Sequence, residues 1–333
     1  MIKKTKASYW HKLENLNIQC QLCPNLCVID NNHRGICRTR INENGVLYTE
    51  TYGNICSTNI DPIEKKPLFH FYPNTKIYSI GCNSCNLSCQ FCQNYEISQY
   101  EVPILYIAPD KLLDMVLKSQ AKSIAFTYSE PLMMTEYLLD CLPLFKQYQI
   151  KTVLVSNSFI NEKPLLDIIP YVDAWNVDFK SISNDFYHNI CSADLDIVKR
   201  NIKIIANNAH LEISFLLIPT LNDSDEEVLE IASFIKSINP NIPLHINRYH
   251  PAYKMQIPAT PIKTLVNAYD IAKTQLKYVY IGNIGKSDYN QTYCPNCNTL
   301  LIDRNNSVDY SKSISNNICS NCNHPIYGHF CKF

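Results

Sequence analysis

The chain has no excess of charge of either sign. Its 333 residues include 30 Lys and Arg and 30 Asp and Glu, so the formal net charge is zero. Binding to nucleic acid phosphates needs concentrated Lys and Arg, so the balance of charge argues against an enzyme that modifies nucleic acid. A neutral chain also has no broad attraction to a charged membrane surface.

Long apolar runs are also missing. No run approaches the ~20 residues of a membrane-spanning helix. Residues 1–6 are basic, and no apolar signal region follows them. We therefore expect a cytoplasmic protein without a membrane partner. The length and a hydrophobic content of 46% suit one large domain with small attachments.

Cysteine, by contrast, is abundant, with 16 residues. In a secreted protein this content would suggest disulfides, whereas in a cytosolic protein it suggests metal binding. Most of the cysteines fall into three groups with the spacing of metal ligands. Of the others, we interpret Cys56, Cys141 and Cys191 as ordinary thiols and leave Cys331 open.

The central group follows a predicted strand, residues 77–80, which Gly81 is expected to end. Cys85, Cys89 and Cys92 have the spacing C-x3-C-x2-C. Three thiolates can each bind one iron of a [4Fe–4S] cluster, which leaves one iron open to a substrate or cofactor. A zinc knuckle is the alternative, but it usually has C-x2-C pairs and four ligands.

Two neighbours of this motif bear on the site. Cys82 extends the spacing to C-x2-C-x3-C-x2-C, and a fourth thiolate would close the cluster. Because the spacing is complete without it, we expect Cys82 to be a small buried thiol. Phe91, just before the third ligand, is expected to shield the cluster from water.

The two outer groups each have four cysteines. The N-terminal group suits either a structural zinc site or an accessory iron–sulfur cluster, and its spacing does not decide between them. It consists of Cys20, Cys23, Cys27 and Cys37. The C-terminal group has two C-x2-C pairs and predicts a zinc ribbon, with a rubredoxin-like iron site as the alternative. It consists of Cys294, Cys297, Cys319 and Cys322.

Apolar runs alternate with amphipathic stretches from residue 77 onward, as in βα units. Six or seven such units predict an α/β fold, a partial TIM-like (β/α)6 barrel with active-site residues at the carboxyl ends of its strands. We expect a metal module at 1–65, the barrel at 66–285 and a C-terminal module at 290–333. The last is expected to fold on its own metal and to cover the barrel mouth or hold a partner.

The C-x3-C-x2-C motif resembles that of the radical SAM superfamily. The resemblance implies that S-adenosylmethionine binds the open iron through its amino and carboxylate groups. It also implies that one electron, from a donor such as flavodoxin or ferredoxin, cleaves the sulfonium and releases a 5′-deoxyadenosyl radical. That radical abstracts hydrogen from a substrate.

Polar residues after the later strands are similar to the cofactor-binding residues of that superfamily. Many members have Gly-Gly-Glu-Pro where this chain has residues 128–131, so the glycines are absent here. An ordinary first-turn acid is the alternative for Glu130, and a structural ion pair is the alternative for Asp178 with Lys180. The resemblance implies cofactor binding by Ser129, Glu130, Ser156, Asn157, Asp178 and Lys180.

The sixth predicted strand is followed by candidate substrate residues. His245, Arg248 and His250 are expected to point toward the barrel mouth and to serve as catalytic residues. A single His is more often structural, but three such residues together favour a site.

The motifs together resemble AmmeMemoRadiSam radical SAM proteins, which are similar to pyruvate formate-lyase activating enzymes. The resemblance covers residues 18–330 and implies that Memo-type and AMMECR1-type proteins are partners. Ser158 stands where Gly is expected. We therefore expect a radical SAM enzyme whose substrate is unidentified. One alternative is a glycyl-radical activating enzyme that acts on a Gly of a partner protein, and another is a non-catalytic metal-ribbon interaction protein. The motifs are residues 20–24, 93–99, 128–131, 178–180, 250–253 and 279–283.

Overall fold

The structure is a computed structural model and describes residues 3–306, 310 and 312–330. Cys331, which the sequence left open, lies outside the described residues. Within these ranges, no helix combines the length and apolar character needed to cross a membrane.

The N-terminal segment forms two small antiparallel sheets of three strands each, in the orders β1-β6-β5 and β2-β3-β4. Their short strands are joined by tight turns, and one of those turns is made by Gly45 with a positive φ of 72°. The strands are β1 (Thr5–Lys6), β2 (Trp10–Lys12), β3 (Ile18–Cys20), β4 (Val28–Ile29), β5 (Arg40–Glu43) and β6 (Val46–Thr49).

The central sheet has nine strands in the order β15-β14-β13-β12-β11-β10-β8-β7-β9. Seven of them, β8 and β10 to β15, run parallel. They are nearly continuous buried apolar runs, as expected for strands covered on both faces. The strands are β7 (Asn54–Pro62), β8 (Lys76–Cys82), β9 (Leu105–Tyr106), β10 (Ser123–Phe126), β11 (Lys151–Ser156), β12 (Ala174–Asp178), β13 (His210–Leu217), β14 (Leu244–Arg248) and β15 (Val279–Gly282).

Amphipathic helices cover the outer face of this sheet. Their starts are set by local capping: Asp194 and Ser224 accept hydrogen bonds from the first-turn amides of their helices. The helices are α1 (Tyr95–Gln99), α2 (Pro109–Lys118), α3 (Thr135–Gln147), α4 (Glu162–Ile168), α5 (Asn184–Phe186), α6 (Leu195–Ala206), α7 (Asp225–Ile238) and α8 (Ile262–Lys273).

The predicted α/β partial barrel is confirmed, with seven parallel strands in an open arrangement. Two details differ from the expectation. Strand β7, inside the predicted 1–65 module, pairs with β8 in the central sheet. Gly81 lies within β8 and does not end it; a Cβ there would lie 2.9 Å from the Thr127 carbonyl oxygen, so glycine permits this close approach.

The amino end of the barrel is filled by the segment between β7 and β8. Leu68 and Phe71 pack inside the barrel against Ile77, Val153 and Ala174. This inward loop fills the amino end of the barrel with apolar side chains.

The C-terminal module closes the same end of the barrel. Arg304 donates to the Phe69 carbonyl at 2.7 Å, and its guanidinium lies 4.1 Å from the centre of the Phe69 ring. His70 contacts the Tyr327 carbonyl at 2.6 Å. The module's apolar core also includes Tyr278 and Tyr280, at the start of the last parallel strand. These contacts place it at the amino end of the barrel and not over the mouth at the carboxyl end, whereas its expected role in holding a partner stays a prediction. Its strands are β16 (Thr292–Tyr293), β17 (Leu300–Ile302), β18 (Ile314–Ser315) and β19 (Ile318–Cys319).

Candidate active site

A cavity of about 560 Å³ opens at the carboxyl ends of the parallel strands. This volume is in the range of pockets that bind small molecules and cofactors. The cysteines of the C-x3-C-x2-C motif line it from the loop after β8. Opposite them lie residues from the ends of β10 to β14, among them Glu130, Asp178 and Asn247.

The three cysteines are arranged for a cluster and not for a single ion. In the described ranges, sulfurs or other ligand atoms of three or more residues approach within 4.8 Å of one another only in the C-terminal module. The sulfurs of Cys85, Cys89 and Cys92 do not all lie within 4.8 Å of one another, as expected when each binds a different iron. Asn157 Nδ2 lies 3.7 Å from Cys85 Sγ, and Ser98 Oγ lies 3.1 Å from Cys92 Sγ. The donor set fits a [4Fe–4S] cluster.

Cys82 is not among the cysteines that line the cavity. It is fully buried, and its carbonyl accepts a hydrogen bond from Ser129 at 2.6 Å. This placement agrees with the expectation of a buried thiol. Phe91 is also buried, with 4% exposure, beside Cys92.

Glu130 is held in a fixed orientation by three donors. Its carboxylate accepts from Ser156 Oγ at 2.7 Å, from the Asn157 amide at 2.8 Å and from the Leu132 amide at 3.1 Å. Burial raises the pKa of this carboxyl to about 7, although these hydrogen bonds favour its ionised form. Ser156 supports Glu130 and does not line the cavity, whereas Ser129, Glu130 and Asn157 do.

Asp178 and Lys180 also line the cavity and form an ion pair of 3.1 Å. Burial alone would lower the pKa of Lys180, but the Asp178 carboxylate raises it well above the ordinary value. The ammonium also lies 5.7 Å from the centre of the Phe91 ring. The sequence analysis treated a structural ion pair and cofactor binding as alternatives for these two residues. The observed geometry is compatible with both.

His245, Arg248 and His250 do not line the cavity, so the structure does not bring them together there, and their catalytic role stays a prediction. His245 is buried at the amino half of β14 and contacts Glu212 at 2.7 Å. Arg248 donates to the Thr260 carbonyl at 2.9 Å. His250 is exposed, and its carbonyl accepts from Gln93 at 3.0 Å. His245 and Asn247 are two residues apart on β14 and therefore point to the same face of the sheet. They differ in depth, because His245 lies nearer the amino end of the strand while Asn247 lies nearer the carboxyl end and lines the cavity.

Lys66 and Asn247 line the cavity but were not among the site residues predicted from the sequence. Lys66 is buried at the cavity wall and donates to Asp61 at 2.6 Å. Asp61 also accepts from Tyr128 at 2.7 Å. Burial alone would raise the pKa of Asp61, but these hydrogen bonds hold it well below its usual range. No local motif marks Lys66, whereas Asn247 lies between His245 and Arg248, which the sequence analysis singled out.

Backbone strain occurs at two places where glycine is expected from the family pattern. Tyr128, at the first Gly of the expected Gly-Gly-Glu-Pro, has a φ of 69°, and Ser158 has a φ of 54°. Both are in the left-handed region, which favours glycine. Tyr128 is held by its bond to Asp61, and the Ser158 carbonyl accepts from Asn201 at 2.7 Å. Such strain is typical of functional sites whose surroundings hold the conformation in place.

The C-terminal module contains a site for a single metal ion. Its four cysteine sulfurs lie within 4.8 Å of one another, and two cross-pair distances are 3.6 Å and 3.7 Å. A tetrahedral zinc site with Zn–S bonds of about 2.3 Å requires S···S distances of about 3.8 Å. Ferric or ferrous iron in a rubredoxin-like site would use the same four ligands.

Comparison with known proteins now identifies the family. The profile of the Radical SAM superfamily matches residues 79–235. An uncharacterized protein of Methanocaldococcus jannaschii is 39% identical over 306 residues, which cover 90% of this chain and 91% of that protein. The chain belongs to the radical SAM superfamily. It is an enzyme of that superfamily, whose members use a [4Fe–4S] cluster and S-adenosylmethionine.

More distant likenesses agree with this assignment. The pyruvate formate-lyase-activating enzyme of Clostridium pasteurianum is 24% identical over 173 residues, covering 50% of this chain and 72% of that enzyme. Streptococcus suis SuiB bound to S-adenosylmethionine shares the fold, with a TM-score of 0.50 and 14% identity over 67% of this chain and 53% of that one. The AmmeMemoRadiSam subtype stays a prediction.

Proposed function

We propose that this radical SAM enzyme abstracts a hydrogen atom from a substrate that enters the cavity at the carboxyl end of the barrel. The proposal is carried by the arrival of Cys85, Cys89 and Cys92 at one wall of a cavity whose other wall holds Glu130 and Lys180. When bound, the [4Fe–4S] cluster and S-adenosylmethionine supply a 5′-deoxyadenosyl radical after one-electron reduction.

The chain fixes the position of the cluster through its thiolates and their neighbours. Cys85, Cys89 and Cys92 bind three irons, while Asn157 and Ser98 hydrogen-bond to two of the sulfurs. Such outer contacts orient ligands and tune a metal site. Cys82 is buried and does not line the cavity, so the proposal does not assign it as a fourth ligand.

Polar residues opposite the thiolates bind the cofactor in this proposal. Glu130, already fixed by three donors, accepts from the amino group of S-adenosylmethionine and becomes fully ionised on doing so. Lys180 would pair with the carboxylate of S-adenosylmethionine, and Asp178 would accept a hydrogen bond from a hydroxyl of its ribose. Asn157 keeps Cys85 and the β11 end in register, and Phe91 excludes water from the cluster side.

Two substrate classes fit this reaction. The likeness to a pyruvate formate-lyase-activating enzyme favours a Gly of a partner protein, which would make this chain a glycyl-radical activating enzyme. The other class is a small molecule. The proposal includes a cytoplasmic location, flavodoxin or ferredoxin as the electron donor, and company with Memo-type and AMMECR1-type proteins.

The test is anaerobic reconstitution with iron and sulfide, followed by S-adenosylmethionine and dithionite. We expect 5′-deoxyadenosine to form, and omission of dithionite is the control. Reconstituted protein that holds its cluster and releases no 5′-deoxyadenosine would contradict the proposal. Adding a candidate partner then separates the substrate classes, because a glycyl radical is visible by electron paramagnetic resonance and a modified small molecule by mass spectrometry.

A further inference from the structure

The N-terminal group of four cysteines surrounds a small internal space. Cys20, Cys23, Cys27 and Cys37 all line it, together with apolar residues such as Leu22, Ile29 and Met133. Three of the four cysteines are buried, and Cys27 is half-buried. A convergent set of buried thiols in an apolar setting is the environment in which metal thiolates are protected from water.

The spread of these sulfurs argues against a single ion. The C-terminal sulfurs, at 3.6 Å and 3.7 Å, already have the separation that one tetrahedral ion needs. In the N-terminal group, by contrast, not even three sulfurs lie within 4.8 Å of one another, as judged over the described residues. The catalytic triad has the same wider spread. Sulfurs that each bind a different iron of a cluster are necessarily farther apart than sulfurs around one ion.

The surroundings of these thiols suit bound thiolates. Backbone N–H groups of Leu22, Asn25 and Ile36 hydrogen-bond to three of the sulfurs. Hydrogen bonds to cluster sulfurs are a general feature of iron–sulfur sites.

Arg40 supplies a buried positive charge at the same site. It is 1% exposed, and its Nη1 lies 3.9 Å from Cys20 Sγ. Its Nη2 pairs with Glu136, but its Nε is buried without a hydrogen-bond partner. A cluster with four thiolates carries net negative charge, so a guanidinium with an unused donor is suited to balance it.

The N-terminal site also touches the loop of the catalytic cysteines. Ser84 Oγ donates to the Cys37 carbonyl at 3.1 Å, and Asn25 Nδ2 donates to the Asn86 carbonyl at 3.0 Å. Ser84 and Asn86 are the residues on either side of Cys85. The two sites are therefore joined by one hydrogen bond and one peptide unit.

We propose that Cys20, Cys23, Cys27 and Cys37 hold a second [4Fe–4S] cluster that exchanges electrons with the catalytic cluster. One electron passes from a low-potential iron–sulfur or flavin protein to the N-terminal cluster, which is reduced. The same electron then reduces the catalytic cluster and leaves the N-terminal cluster oxidised. No bond forms or breaks in this exchange.

The decisive experiment removes the catalytic triad and measures what remains. The full chain with Cys85, Cys89 and Cys92 all changed to Ala is reconstituted with iron, sulfide and zinc, and its metal and sulfide contents are measured. We expect about four irons and four sulfides beyond the C-terminal metal, and a [4Fe–4S] signal in electron paramagnetic resonance after dithionite. A protein that contains zinc and no sulfide would overturn the proposal. This readout does not involve cleavage of S-adenosylmethionine, so it is separate from the test of the proposed function.

A second pair of variants controls for folding and tests the contact between clusters. Adding Cys23→Ser to the triad variant should remove the remaining sulfide, whereas adding Cys141→Ser, at a fully buried thiol in α3, should not. If both lose sulfide equally, the loss reflects folding and the ligand assignment fails. The reduced wild-type protein should show a signal broadened by interaction of two spins. A spectrum equal to the sum of the two single-cluster variants would overturn the electron exchange.

Discussion

The two ends of the barrel contain similar polar residues but use them differently. At the amino end, the buried Glu212 carboxylate contacts the amides of Phe69 and His70 and the rings of His210 and His245, at 2.7–3.1 Å. Burial alone would raise the pKa of Glu212, but the bonds from its His partners hold it well below the ordinary value. All of these partners belong to the chain itself, so the carboxylate serves the fold and is not directed at a ligand.

At the carboxyl end, polar side chains keep a face toward open space. Asp178 and Lys180 pair with each other, yet both line the cavity, and Asp178 is 43% exposed. Asn247 reaches the same space because Gly282 on the next strand has no Cβ; one there would lie 2.0 Å from Asn247 Oδ1. Buried polar groups that satisfy one another stabilise a fold, whereas groups that face a cavity remain available to a ligand.

The largest effect is expected at the cavity end, from Cys89→Ala. A site with three thiolates has no spare ligand, so the variant should lose the catalytic cluster and all formation of 5′-deoxyadenosine. Iron content and chromatographic detection of 5′-deoxyadenosine measure this. Cys141→Ser is the matched control and should keep both. Cofactor cleavage by the Cys89 variant would refute the ligand assignment.

Removal of residues 290–333 tests the closed end. The sequence alone predicts that the module is self-contained and that cluster assembly survives its loss. The structure instead buries Tyr278 and Tyr280 against it and ties Arg304 to Phe69. We therefore expect a loss on the order of 5 kcal/mol, comparable with the whole stability of a marginal domain. Urea unfolding followed by circular dichroism measures it, and an unchanged midpoint would restore the sequence-based domain boundary.

Glu212→Gln tests the closed end with a single atom change. Gln cannot accept charge-assisted bonds from four donors, so we expect a loss of roughly 3 kcal/mol at pH 7. Because the folded-state pKa of Glu212 is depressed, its contribution is present above the unfolded value of about 4.3 and is lost as pH falls below that. Urea unfolding at pH 7 and at acid pH should show the difference shrinking. Glu226→Gln, an exposed change on α7, should have no such effect.

Asp178→Asn compares ion pairs at the two ends. The change replaces the charged acceptor that the proposal assigns to a ribose hydroxyl by a weaker neutral one, so binding of S-adenosylmethionine to the reconstituted protein should weaken roughly tenfold, with little effect on unfolding. The control is Asp173→Asn, which breaks the 2.8 Å pair with Lys151 at the amino end. Isothermal titration calorimetry should show unchanged cofactor affinity for that control. Equal weakening in both variants would remove the distinction between the two ends.

The smallest effect is expected from Cys82→Ser. Cys82 is fully buried, does not line the cavity, and its sulfur lies 3.7 Å from Ser129 Oγ, so serine should keep the local contact and the catalytic cluster. Formation of 5′-deoxyadenosine should stay within about twofold of wild type, since substitutions away from ligands have small effects. Loss of the cluster would show that Cys82 is a ligand, and a gain in activity would show that it occupies the open iron.

Local sequence determined the elements of this protein. The alternation of apolar and amphipathic stretches from residue 77 onward corresponds to seven parallel strands with helices between them, because hydrophobic period and capping residues are local signals. The cysteine spacings likewise predicted that each group would meet: the N-terminal cysteines line one small space, and the four C-terminal sulfurs lie within 4.8 Å of one another. The left-handed φ of Ser158 was also foreshadowed, as glycine was expected there.

Only the tertiary structure decided which end of the barrel each polar residue serves. His245 and Asn247 are two residues apart on β14, yet one contacts Glu212 and the other lines the cavity. Lys66 enters the cavity wall from a loop with no motif, and the C-terminal module docks at the amino end through Arg304 and Tyr327. These placements depend on contacts between residues more than a hundred positions apart. A one-dimensional pattern does not encode them, because burial and hydrogen-bond partners are set by packing of the whole chain.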